Sequence, residues 1–221
     1  MTHWNTLADE HGFIVVYPSG LHYPKRWRTS PTSGEATLAD EIFISELIDK
    51  LEGEYNIDAR RIYTNGLSNG GGMSFLLACS LADRIAAVGL VAGAYPLPWE
   101  ACQPSRPAPA IVFHGTADPI VPFHGGPSHD PAFPLPDIPT WVETLARRNG
   151  CGETPTELPV SGAVSGVHFT GCAADVIFYT IAGGGHTWPG GEPLPRFLTG
   201  ETNQEIDATR VMWEFFEAHP K

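Results

Sequence analysis

Ile62-Tyr63-Thr64-Asn65-Gly66-Leu67-Ser68-Asn69-Gly70-Gly71-Gly72-Met73 passes from a short apolar strand through Gly-x-Ser-x-Gly into a helix. Arg61-Ile62-Tyr63-Thr64 reads as a buried strand, and Met73-Ser74-Phe75-Leu76-Leu77-Ala78-Cys79 reads as an apolar helix. A strand that turns this sharply into a helix leaves little room for side chains at the flanking positions. Glycines at 66 and 70 therefore let the serine oxygen stand clear. The N–H groups that open the helix, that of Asn69 first, point to where negative charge develops during acyl transfer. The stretch is a nucleophile elbow, and it places the chain in the α/β class.

The rest of the chain alternates in the same way. Gly12–Pro18 reads as a strand, and residues from Leu38 to Tyr55 read as a helix with apolar positions at Ile42, Leu47, Ile48 and Leu51. Ala86–Ala94, Ala110–His114 and Val176–Ile181 are short apolar runs of the kind buried on both faces of a parallel sheet. Helices are expected at Ile138–Arg148 and Gln204–Ala218, and surface loops at Pro122–Pro139 and Thr154–Gly166. The pattern predicts an α/β-hydrolase architecture: one domain over 1–221, with a mainly parallel sheet flanked by helices.

In open α/β sheets the working residues follow the carboxyl ends of strands. After the strand ending at Phe113 comes His114-Gly115-Thr116-Ala117-Asp118, and after Val176–Ile181 comes Ala182-Gly183-Gly184-Gly185-His186. The order Ser68, Asp118, His186 is the chain order of an α/β-hydrolase triad. Ser68 needs a base to take its proton during attack, and an imidazole can take it and return it to the leaving alcohol. Asp118 would hold the tautomer of His186 and stabilise its cation, and the Asn69 N–H would be one oxyanion donor. Taken singly, Asp118 could simply cap a turn and His186 bond a loop carbonyl; the three together point to ester or amide chemistry.

Composition narrows the partners. A length of 221 residues with 42% hydrophobic content and no long apolar run indicates a globule with no membrane span. The net charge of -12 argues against nucleic acid or anionic lipid and favours neutral or weakly charged substrates. Four cysteines, Cys79, Cys102, Cys151 and Cys172, lack zinc-ribbon spacing and are either buried thiols or two bridges. Cys151 and Cys172 lie in turn-rich sequence that suits a clamp, and a bridge there implies an oxidising compartment. The first residues do not read as a signal peptide, so export is not expected to be legible in this sequence.

Three motifs together carry a family resemblance. Gly66-Leu67-Ser68-Asn69-Gly70-Gly71, His114-Gly115-Thr116-Ala117-Asp118 with Val121-Pro122-Phe123-His124-Gly125-Gly126, and Gly183-Gly184-Gly185-His186-Thr187-Trp188-Pro189-Gly190 resemble the polyhydroxybutyrate depolymerase and feruloyl esterase family of α/β-hydrolases. The resemblance covers nearly the whole chain. It implies a secreted carboxylic ester hydrolase without metal or organic cofactor, acting on feruloyl or acetyl esters of plant polysaccharide or on aliphatic polyesters. It also implies bridges Cys79–Cys102 and Cys151–Cys172, with a buried free thiol the alternative for Cys79.

The chain departs from that family at its amino end. Met1-Thr2-His3-Trp4-Asn5-Thr6-Leu7-Ala8-Asp9-Glu10 resembles the helix that follows a strand and His-Gly loop bearing the second oxyanion donor. On the usual strand order the absent strand would lie between Phe13–Tyr17 and the elbow strand. Those two strands would then pair directly, or receive a strand from another chain or a missing segment, since unpaired backbone at a sheet centre is costly. The expectation is a fragment or one domain of a longer protein, with association into a homo-oligomer the alternative way to fill the sheet.

Other side chains carry two readings each. Trp188 is either an apolar wall for the acyl group, hence substrate-binding, or an anchor for the histidine loop; Trp27 either lines a cleft or packs under its own loop. His114, His124, His129 and Asp130 match no common ligand spacing, so no metal site is assigned. The expected function is a serine carboxylesterase; the alternative is a hydrolase-fold module, catalytically impaired, that binds polysaccharide or polyester.

Overall fold

The computed structural model describes residues 2–21, 25–30, 34–128, 134–159 and 162–221. In chain order the elements are α1 (Trp4–His11), α2 (Glu35–Glu54), β1 (Tyr63–Leu67), α3 (Asn69–Ser80), β2 (Ala87–Val91), β3 (Ala110–Gly115), β4 (His124–Gly126) and β5 (Leu135–Asp137). They continue with α4 (Ile138–Arg148), β6 (Thr156–Leu158), β7 (Val164–Phe169), β8 (Val176–Ile181), α5 (Arg196–Thr199) and α6 (Ala208–Ala218).

The main sheet has the order β1-β2-β3-β8-β7-β6. β1, β2, β3 and β8 run parallel, and β7 and β6 close one side as antiparallel neighbours. Register aligns the carboxyl ends: Leu67 lies opposite Val91, Val91 opposite Phe113, and Phe113 opposite Tyr179. The loops leaving β1, β3 and β8 therefore emerge on one edge of the sheet.

Side-chain alternation along the strands divides the core into two layers. Val88, Leu90, Ala110, Val112, Val176 and Phe178 meet the face covered by α2, α3 and α4, while Ala87, Val91, Ile111, Phe113 and Ile181 meet α1 and α6. α4 buries Ile138, Trp141, Val142, Leu145 and Ala146, a stripe at helical spacing, and starts where the Asp137 side chain accepts the Thr140 N–H. α3 has no stripe at all, because every residue from Gly71 to Cys79 is buried. Its opening glycines cost about 1 kcal/mol each against alanine, and burial of Met73, Phe75, Leu76 and Leu77 at roughly 1.5–3 kcal/mol apiece outweighs that.

Several sequence expectations are corrected. Gly12–Pro18 is not a strand: Phe13 and Val15 pack inward against the α6 layer, Phe13 stacking on Trp213 at 4.2 Å, and Ile14, Val16 and Tyr17 face out. The alternation is that of a strand, yet the segment joins no ladder and does not pair directly with β1. In α2 the inward positions are Ile44 and Ile48, with Leu47 partly buried, whereas Ile42 is exposed. The Thr154–Gly166 loop holds β6 and the start of β7, and the Pro122–Pro139 loop holds the antiparallel pair β4 and β5. α6 begins at Ala208 rather than near Gln204, since the Asp207 side chain caps it by accepting from the amides of Thr209 and Arg210.

Both bridges, Cys79–Cys102 and Cys151–Cys172, are present, so Cys79 is not a free thiol. The first ties α3 to the segment after β2; the second ties the end of α4 to the turn before β8. No described helix is long and apolar enough to cross a membrane.

Candidate active site

Ser68 sits between β1 and α3 with φ 58° and ψ -120°, a conformation that side chains other than glycine seldom adopt. Such a residue stores about 1–3 kcal/mol of strain, which the surroundings must impose. Here they do so through the backbone. The Ser68 amide donates to Val91 O at 2.9 Å, and Ser68 O accepts from the amides of Gly72 at 3.0 Å and Ala94 at 3.1 Å. The Asn69 amide lies in the first turn of α3, where N–H groups have no intrahelical acceptor.

The two glycines of the elbow are not equivalent. A Cβ on Gly66 would lie 2.4 Å from the Gly70 carbonyl carbon, a backbone atom that cannot step aside, whereas a Cβ on Gly70 meets nothing within 4 Å. The expectation that both positions exclude a side chain is thus corrected for Gly70. Gly66→Ala is expected to destabilise by roughly 1–3 kcal/mol, as overpacking does, and Gly70→Ala, which meets open space in a helix, to raise the melting temperature by about 1–4 °C. Thermal denaturation of the two variants side by side checks this.

Asn69 contributes more than its amide. Its Oδ1 accepts from the Trp27 amide at 2.7 Å and its Nδ2 donates to the Trp27 carbonyl at 3.0 Å. The loop containing Trp27 is thereby clasped next to the nucleophile position. Its other end is held where the buried Asp40 accepts the Arg28 amide at 2.8 Å. The Trp27 indole stacks on Phe43 at 6.3 Å and packs against the core, which favours the packing role for this residue.

The acid and histidine loops are stitched together. Thr116 N donates to Ile181 O at 2.9 Å, Ala117 N to Gly184 O at 3.0 Å, and Gly183 N to Thr116 Oγ1 at 2.9 Å. The contact needs Gly115, since a Cβ there would fall 2.2 Å from Gly184 O. His186 itself is fixed from the other side, its amide donating to Thr199 O at 2.6 Å and that of Gly185 to Glu201 O at 2.8 Å. Within this frame His186 Nδ1–H donates to Asp118 Oδ2 at 2.7 Å, and both side chains are buried. Asp118 Oδ1 accepts from the amides of Ile120 and Val121, each at 2.8 Å. A buried carboxylate with three donors is satisfied as an anion, and it fixes the Nδ1–H tautomer that leaves His186 Nε2 unprotonated.

No hydrogen bond within 3.5 Å joins Ser68 Oγ to His186 among the described residues, and the Ser68 side chain is half-buried. Trp188 is 6% exposed, and its Nε1–H donates to Thr209 Oγ1 at 2.9 Å, which favours the anchoring role at the histidine loop. His114 bonds the Val121 carbonyl and His124 bonds Asp137, while His129 and Asp130 lie outside the described residues. Among the described residues no three His, Cys, Asp or Glu side chains group as metal ligands.

Comparison with known proteins identifies the family. The family model described as "Esterase PHB depolymerase" matches residues 1–98, a span that holds the elbow. NocK of Nocardia uniformis subsp. tsuyamanensis is 32% identical over 96% of this chain and 67% of its own length. Feruloyl esterase C of Emericella nidulans is 31% identical over 93% of this chain and 64% of its own. The chain therefore spans about two thirds of the length of these two relatives. Among solved structures, the acetyl xylan esterase from Aspergillus awamori superposes with a TM-score of 0.68, covering 98% of this chain and 81% of that one at 17% identity, a likeness of fold. With the elbow, the acid loop and the histidine loop all on one edge of an α/β-hydrolase sheet, the chain belongs to the polyhydroxybutyrate depolymerase and feruloyl esterase family.

Proposed function

We propose that this chain is a serine carboxylesterase that works through an acyl-enzyme. The observation that carries the reading is the buried Asp118–His186 pair at 2.7 Å, on the sheet edge where Ser68 stands in a strained strand-to-helix turn. Ser68 attacks the ester carbonyl while His186 Nε2 takes its proton; the same nitrogen returns it to the leaving alcohol. Water then attacks the acyl serine with His186 again as base. Asn69 N–H donates to the oxyanion, the N-terminal end of α3 adding a favourable field.

Feruloyl, acetyl and short aliphatic acyl esters are the proposed substrate class, drawn from the names of the relatives and the net charge of -12. Two disulfides favour an oxidising compartment, and on that ground we assign the protein to the extracellular space. The test has two parts. The chain should release p-nitrophenol from a short-chain ester, and a phenylmethylsulfonyl reagent should stop that release while adding one sulfonyl group to the peptide containing Ser68. Retention of polysaccharide or polyester with no turnover, or labelling elsewhere, would overturn the reading.

A further inference from the structure

His114 is a residue that the hydrolytic reading leaves without a role. It is 1% exposed at the end of β3, four positions before Asp118. Its Nε2 lies 2.9 Å from Val121 O, and a carbonyl can only accept, so Nε2 carries the proton. Nδ1 has no hydrogen-bond partner among the described residues, which agrees with its being the bare nitrogen. Burial lowers the tendency of His114 to take a second proton, so the ring is neutral at neutral pH. The same Nε2 comes within 3.6 Å of Asp118 Oδ2, the oxygen that His186 also engages. At that distance the contact is no hydrogen bond, yet in a buried site the positive end of an N–H dipole acts strongly on a carboxylate.

We infer that His114 is a positioning residue for the reaction: its Nε2–H holds the Val121 turn that grips Asp118 and partly offsets the carboxylate charge that Asp118 presents to His186. Two effects follow from one proton. The bond to Val121 O fixes the turn whose amides, at Ile120 and Val121, lock Asp118 Oδ1. The dipole beside Oδ2 tempers the pull of Asp118 on the imidazolium that forms at His186 during attack. With that dipole removed the carboxylate holds the imidazolium more tightly, so His186 gives up its proton only at higher pH. The acid limb of kcat/KM must then move up.

The other charged groups near the pair do not supply this effect. Among the described residues, the charged or titratable groups that act on His114 are Asp118 and His186. The segment packed on the histidine loop carries Arg196 and Glu201, which pair with each other at 2.7 Å in solvent, where screening weakens them.

The inference rests on the proposed serine mechanism, and the experiment separates the two. Gln and Met have nearly the same shape, but only Gln offers a donor near the place of His Nε2. The pH profile of kcat/KM on p-nitrophenyl acetate is measured for the parent chain, His114→Gln, His114→Met and Ser68→Ala, with melting temperatures recorded alongside. In His114→Met loss of the dipole should raise the acid limb by about half a pH unit, and loosening of the Val121 turn that grips Asp118 should lower kcat roughly tenfold with KM little changed. In His114→Gln the limb should stay at the parent position. A Met variant that melts lower but keeps the parent limb would make His114 merely structural and overturn the inference. If the Met variant does not fold, the Gln variant decides: a displaced limb there, in a protein with the donor retained, overturns it equally. Turnover near the parent rate in Ser68→Ala would sink the serine mechanism itself, whatever the His114 variants do.

Discussion

Ser68→Ala is expected to lower kcat on a p-nitrophenyl ester by about a millionfold, His186→Ala to cost about as much, and the double variant to be no worse than either. The reason lies in the division of labour at the site. Without the hydroxyl there is no atom for His186 to deprotonate toward the carbonyl, and without the imidazole the hydroxyl is too weak an acid to attack. Each residue is useless alone, so removing the second subtracts nothing further. The backbone should survive both changes. Ser68 is positioned by three main-chain hydrogen bonds, and its strained φ of 58° is imposed by them and not by its side chain. KM is expected to change little, because neither group binds the acyl chain. Residual turnover about a thousand- to ten-thousandfold above water would remain from the Asn69 amide and from substrate positioning. Single-variant losses that multiply in the double variant would show that Ser68 and His186 do not act as one unit.

How much of this site is legible in the sequence depends on how local each cause is. The elbow is decided within a dozen residues: a strand, a glycine whose Cβ would strike backbone, a serine and an opening helix. β2, β3 and β8 announce themselves as unbroken apolar runs because both of their faces are buried between helices. Phe13–Val16 shows the limit of that logic. Its alternation comes from two side chains packed on α6, and packing alone writes the same period into a sequence as a ladder does. β6 and β7 failed in the opposite direction, since exposed residues such as Ser165 and Thr156 and the glycines around them read as loop. The clasp between Asn69 and Trp27 joins residues 42 apart, and no local pattern encodes it. Trp188 had two local readings of equal standing, and only the hydroxyl of Thr209, supplied by α6 from 21 residues away, separates them. His114 was visible only as one histidine among several beside a proline-rich loop; its bearing on Asp118 requires the turn at Val121 to fold back over β3.

Asp118→Asn is expected to cost about ten-thousandfold in kcat while leaving the fold intact, and the hydrogen bonds at this carboxylate explain why so small a change does so much. Asp118 accepts at both oxygens: from the amides of Ile120 and Val121 at Oδ1, and from His186 Nδ1–H at Oδ2. An asparagine has one oxygen to offer. Turned so that its oxygen satisfies the two amides, it presents its NH₂ to His186 Nδ1. That nitrogen must then become the acceptor, and the proton moves to Nε2. On the proposed mechanism the imidazole then offers Ser68 an N–H where a lone pair is needed, and it cannot serve as base. Turned the other way, the amide sets its NH₂ against the N–H groups of Ile120 and Val121, two donor-to-donor clashes in a site where the side chain has no exposure. The first arrangement is the cheaper, so the variant should fold and stay inert near neutral pH. Recovery of part of the rate at high pH, where the imidazole or the hydroxyl itself loses a proton to solvent, would follow from the same tautomer argument. A crystal structure of the variant should show the amide oxygen within about 3 Å of both loop amides. Near-parental turnover with that orientation present would mean that His186 is held in its working tautomer by something other than Asp118.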